Sequence, residues 1–184
     1  ETCHKYGLYL FLDGARLGYG LAAPDNDLTL PDIAALCDVF YIGGTKVGAL
    51  FGEAVVIKNP ELAQDFRYLI KQNGGMLAKG RLLGLQFDAL FTDGLYQEIS
   101  AHAIAMAEKL REAFTAKGYN YLAPNRTNQI FVIVPDAHLE KIAEQFEYSY
   151  DQRIDATHSC VRFCTGWATK EENVDALIRC VEKL

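Results

Sequence analysis

The sequence lacks the basic stripe that a nucleic acid or an anionic membrane would select: its 184 residues carry a formal net charge of -6. It also lacks any hydrophobic run near the roughly 20 residues needed to span a bilayer. No basic-then-apolar leader opens it. Its five cysteines are an odd count without a CxxC pair, which provides neither a disulfide framework nor a zinc pattern, so free thiols in a reducing, cytoplasmic setting are expected. The four histidines, His4, His102, His138 and His158, are not spaced as metal ligands, and no metal site is expected. No internal repeat or low-complexity tract is present. These exclusions leave small-molecule chemistry on a chain whose residues are half hydrophobic, enough to bury a sizeable core.

What is present has the rhythm of an α/β protein. LYLFL, residues 8–12, is a continuous apolar run of the kind expected for a parallel strand covered on both faces, and CDVFYIG, residues 37–43, repeats it. Between them TLPDIAALC offers Thr29, Pro31 and Asp32 as helix-start signals, completing a strand–helix–strand unit. EAVVIKN predicts a third strand and NPELAQDFRYLIKQN one helix, entered through Asn59 and Pro60 and ended at Asn73-Gly74-Gly75. Helical periodicity returns in MLAKGRLLGLQFDALF and again, at greatest length, from Leu95 to the stop at Gly118. The remainder reads as strand QIFVIVP, helix AHLEKIAEQF, a Tyr-rich stretch, strand CVRFC and a final helix. We therefore expect a larger α/β portion over residues 1–95, then a long linking helix and a small α/β domain over residues 96–184.

Asp13 stands immediately after the first apolar run and Lys46 just past the second, in YIGGTKVGALFG. Ligands of open α/β sheets bind beyond the carboxyl ends of the strands, so both residues fall on the rim where chemistry is expected. The glycines around Lys46 admit close backbone approach, and its apolar surroundings predict a desolvated, nucleophilic amine. Neither the GxxxxGK[ST] spacing of a phosphate-binding P-loop nor GxGxxG after a first strand is met. In Cys160-Val-Arg-Phe-Cys164, Val161 and Phe163 alternate with Arg162, so a strand would set the arginine on the face opposite the apolar pair. Its fork suits a carboxylate.

An acid that keeps a pyridine nitrogen protonated and a lysine that forms a Schiff base are the two groups pyridoxal phosphate chemistry needs. With FLDGAR at 11–16, GGTK at 43–46 and VRFCTGWATKEENVDAL from Val161, the chain resembles the threonine aldolase and β-eliminating lyase family of fold-type-I pyridoxal phosphate enzymes, in order and spacing along nearly its whole length. The resemblance implies that Lys46 binds the cofactor covalently and Asp13 pairs with its ring nitrogen. Arg16, in a DxxR pattern, would lie near the cofactor and help hold the substrate carboxylate, and Arg162 would be the second carboxylate-binding arginine. Thr45 and Lys79 are further candidates for the cofactor phosphate, Lys79 from a neighbouring subunit. NGGMLAKG departs from the family's Gly-rich segment followed by a basic residue and glutamine.

The implied reaction is cleavage of the Cα–Cβ bond of a β-hydroxy-α-amino acid to glycine and an aldehyde, by a homodimer or homotetramer. Other reactions on the same scaffold, namely β-elimination, racemisation or transamination, share its lysine and acid. A non-catalytic α/β binding module, with Asp13 and Lys46 as surface ion-pair partners, is the reading from another class. ETCHKYG reads as the end of a helix, without an initiator Met. The expectation is a carboxyl-terminal part of a longer polypeptide, whose amino-terminal portion carries the ring-stacking residue and the main phosphate loop and is needed for activity.

Overall fold

The computed structural model describes residues 1–184. The chain divides into two compact units, one of residues 1–21 and 26–98, the other of residues 22–25 and 99–184.

The first unit opens with a single turn, α1 (Thr2–Lys5), whose last turn carries His4 and Lys5 and which is followed by Gly7 at φ 64°. Then come β1 (Phe11–Leu12), α2 (Leu17–Leu21), α3 (Leu30–Leu36), β2 (Val39–Gly43) and β3 (Glu53–Ile57). Thr29 and Asp32 form a reciprocal capping box on α3, with Pro31 in its first turn, as their spacing predicts. β1 pairs parallel to β2, and β3 returns antiparallel with Val39 opposite Ile57, in the order β1-β2-β3.

Two expectations change here. Within residues 1–184 the run LYLFL contributes only the two residues of β1 to the sheet, at its edge, with Leu8, Tyr9 and Phe11 55–60% exposed. An apolar run states that residues favour burial but not which layer does the burying. The segment after Asn59 is not one helix but two, α4 (Pro60–Ala63) and α5 (Phe66–Gln72), separated where Asp65 turns left-handed at φ 57°. α6 (Arg81–Phe91) and a short 3-10 turn (Thr92–Gly94) lead into α7 (Leu95–Ala116).

The second unit is a four-stranded antiparallel sheet of β4 (Asn120–Tyr121), β5 (Gln129–Pro135), β6 (Ser149–Arg153) and β7 (His158–Cys164), ordered β4-β5-β7-β6. Helices α8 (Asp136–Ala143) and α9 (Glu171–Glu182) complete it. Period-2 alternation in β5 buries Ile130, Val132 and Val134 against Leu110 and Phe114 of α7, Ile142 of α8 and Val181 of α9. β4 and β6 are not among the strands the sequence predicts. Every residue of β6 is exposed, so it has no hydrophobic alternation to read, and it exists through its ladder with β7.

Two backbone constraints organise the first unit. Gly43 N–H donates to the Gly14 carbonyl at 2.9 Å, and the chains approach so closely that a Cβ on Gly14 would lie 1.7 Å from the Tyr41 carbonyl oxygen, and one on Gly43 2.4 Å from that of Ala15. Beside this crossing the buried Tyr96 hydroxyl accepts from Gly18 N–H and donates to the Gly43 carbonyl, each at 3.0 Å. Burial pushes the Tyr96 hydroxyl up to about 12, so it remains a donor at any ordinary pH.

Gly14→Ala is expected to cost roughly 1–3 kcal/mol or more in urea denaturation. Gly20→Ala, whose Cβ meets nothing within 4 Å, should be neutral or stabilising by up to about 1 kcal/mol. Tyr96→Phe keeps the ring packing but orphans two buried backbone groups, and a loss of about 1–3 kcal/mol is expected in the same assay.

Candidate functional site

Because β1 and β2 are parallel, the segments that leave their carboxyl ends emerge on one rim, and the Gly14–Gly43 crossing fastens them there. Asp13 lies on the first and Lys46 on the second. Asp13 is exposed, and its Oδ1 accepts both the Tyr41 hydroxyl and, at 3.1 Å, Ala15 N–H. The Tyr41 bond first, then the Ala15 bond, with the nearby Lys46 charge helping, hold the Asp13 carboxyl below the usual carboxylate range. The stability that this carboxylate contributes is therefore full at neutral pH and is lost as pH falls through its lowered value. Reciprocally, Asp13 pushes the Tyr41 phenol up to about 12.

Lys46 is exposed, not enclosed as its apolar neighbours predict. Val47 and Ala49 turn inward, 0% and 9% exposed, and by doing so present the lysine outward. The loop itself is held from below. The buried Tyr19 donates its hydroxyl to the Lys46 carbonyl. Glu53 accepts Gly44 N–H at 2.8 Å and the Thr45 hydroxyl at 3.2 Å. Gln86 of α6 accepts Leu50 N–H at 2.7 Å and donates to the Phe51 carbonyl at 3.1 Å. Arg16 is half-buried at the start of the segment leading into α2, and Lys79 is exposed in the turn before α6 rather than on a helix.

Tyr41, Tyr96, Tyr19, Glu53 and Gln86 escaped the sequence reading. Tyr41 stands at the alternate positions of VFYIG that a core reading assigns to packing. Glu53 opens a strand at the position of an ordinary solvated acid. Only the β2–β3 register, Gly43 opposite Glu53, brings it under the lysine loop.

In the second unit Arg162 lies on β7 opposite the core-facing Val161 and Phe163, the face its alternation predicts. Its guanidinium reaches Gln129 at 3.3 Å and the Ser149 hydroxyl at 3.5 Å, and stacks 6.0 Å from the Phe131 ring centre. Its Nε is buried without a hydrogen-bond partner. Arg162, Tyr148, Ser149, Cys164, Thr169 and Asn173 are among the residues lining an open pocket of about 350 Å³. All five cysteines are free thiols, no cluster of His, Cys, Asp and Glu could hold a metal ion, and no helix is long and apolar enough to cross a membrane.

No protein-family profile matches the chain. It is 32% identical over 180 residues to a low-specificity L-threonine aldolase of Pseudomonas sp., covering 96% of this chain and 50% of that protein. The solved threonine aldolase of Leishmania major superposes with a TM-score of 0.96 at 42% identity, over 99% of this chain and 53% of that one. A putative L-allo-threonine aldolase of Listeria monocytogenes, at 23% identity, TM-score 0.73 and coverage of 99% and 54%, shares the fold. The chain thus spans about half the length of the relatives it matches. It is a homologue of the threonine aldolases, matching their carboxyl-terminal part, and has the fold of the fold-type-I pyridoxal phosphate enzymes.

Proposed function

We propose that the chain works within a pyridoxal phosphate-dependent aldehyde-lyase that cleaves β-hydroxy-α-amino acids such as threonine to glycine and an aldehyde. The observation that carries this reading is an ionised Asp13 and the Lys46 amine on two backbone-fastened segments of one sheet rim, in a chain 42% identical to a threonine aldolase over nearly all its length.

The donor set fits the cofactor. Asp13 offers an anion kept charged by two hydrogen bonds, which suits a protonated pyridine nitrogen, and Lys46 offers an outward-facing amine on a loop held by Tyr19 and Glu53. When bound, pyridoxal phosphate supplies an electron-accepting ring that takes up the electron pair of the breaking Cα–Cβ bond. Lys46 would hold the cofactor covalently, and its amine would move a proton at Cα. Asp13 would keep a proton on the ring nitrogen. Arg16 is assigned to the cofactor's surroundings and to the substrate carboxylate, and Arg162 to a substrate carboxylate as well. Support for Arg162 comes from its unmet Nε donor, which a bidentate anion would satisfy. Thr45 and Lys79 are proposed phosphate contacts. For Thr45 this requires its hydroxyl to exchange the Glu53 carboxylate for phosphate.

The working protein is proposed to be a cytoplasmic homodimer or homotetramer. Residues 1–95 form part of its cofactor-binding domain and residues 96–184 its linking helix and small domain. An amino-terminal portion, corresponding to the half of the relatives not matched here, would supply the ring-stacking residue and main phosphate loop.

Borohydride reduction followed by peptide mass mapping should place the pyridoxyl adduct on Lys46 and lose it in Lys46→Ala; an adduct on Lys71 or Lys79 would contradict the assignment. Asp13→Asn should retain cofactor and lose most turnover on threonine, since an amide cannot hold the ring proton. Arg162→Ala should mainly raise KM, by an amount corresponding to roughly 2–5 kcal/mol if a buried charge pair is broken.

A further inference from the structure

Tyr41 is the one side chain whose hydroxyl reaches the Asp13 carboxylate, and it does so with a particular geometry. The Tyr41 hydroxyl and Ala15 N–H both converge on Oδ1, so the hydrogen bonds to this carboxylate all fall on one oxygen. A carboxylate with one oxygen fastened and the other left over is both oriented and selective: only Oδ2 retains its full capacity for a new cationic donor.

The position of Tyr41 is itself well determined. It sits in the middle strand of the first sheet, opposite Val55 of β3, with its ring 6.0 Å from that of Phe11. Its carbonyl is the atom against which Gly14 closes. The same residue thus sets the backbone of the Asp13 segment through its carbonyl and the carboxylate through its hydroxyl. The charged groups around the pair are Lys46, which favours the Asp13 anion, and Glu53, which acts on Tyr41.

We propose that Tyr41 is a positioning residue for the cofactor site: by holding Oδ1 of Asp13 through its hydroxyl it orients the carboxylate and leaves Oδ2 for the ring nitrogen. The inference rests on the pyridoxal phosphate reading above and assigns within it a residue that acts through Asp13.

Tyr41→Phe retains the ring and its packing on Phe11 while removing the donor, and a thermal melt against wild type verifies that the fold persists. With ¹³C-labelled aspartate, the Asp13 carboxyl titration should move to higher pH in Tyr41→Phe. Affinity for pyridoxal phosphate should fall, because Asp13 is no longer held in orientation before the cofactor binds, and the pH profile of the bound cofactor's visible absorbance should shift. Should the variant bind cofactor as wild type does, with the Asp13 titration and the absorbance profile both unmoved, the positioning role is overturned while the enzyme reading stands. The measurements are made on protein that carries the amino-terminal portion, and such a wild-type protein that takes up no cofactor overturns both.

Discussion

The contact on which the first unit depends is the crossing of two glycines. Gly14 follows β1 and Gly43 ends the parallel strand β2, and their segments meet at a distance that a single methyl group would forbid. A hydrogen bond between two main chains is rigid in a way that a pair of long side chains is not, since no rotamers remain to be frozen. Everything of chemical interest in this unit hangs from that joint: Asp13 precedes one glycine by one position, Lys46 follows the other by three.

The joint is reinforced by tyrosines used as rivets rather than as hydrophobic filler. Tyr96 joins Gly18 to Gly43, Tyr19 takes the Lys46 carbonyl, and Tyr41 takes Asp13. Each has an apolar body that packs and one polar atom that must find a partner when desolvated. Three of the four partners are backbone groups, Gly18 N–H in α2, the Gly43 carbonyl at the end of β2 and the Lys46 carbonyl in the loop that follows. This arrangement gives exposed functional groups, Asp13 and Lys46, on well-determined supports.

The second unit solves a different problem with a different device. Its antiparallel sheet sends Ile130, Val132, Val161 and Phe163 into one core and leaves Arg162 on the other face, where Phe131 and Gln129 supply a stacking surface and an acceptor. The guanidinium is held in plane by neighbours while one donor, Nε, stays unmet. A buried donor without a partner is costly, and its persistence beside an open pocket is the feature of this unit that most invites an anion.

By itself the sequence determined the α/β class, the parallel pairing of its first two strands, the alternation that divides Arg162 from its apolar neighbours, and the placement of Asp13 and Lys46 after strand ends. These follow from local periodicity and turn chemistry, which are written residue by residue. The tertiary structure alone decided the rest. Leu8 to Leu12 reads as a covered strand, but within residues 1–184 only Phe11 and Leu12 pair, at an edge of the sheet. Lys46 reads as desolvated, but within these residues the inward turn of Val47 and Ala49 sets it outside. Glu53 and Tyr41 carry no local signal at all, because their roles arise from strand register and from the close approach of segments far apart along the chain.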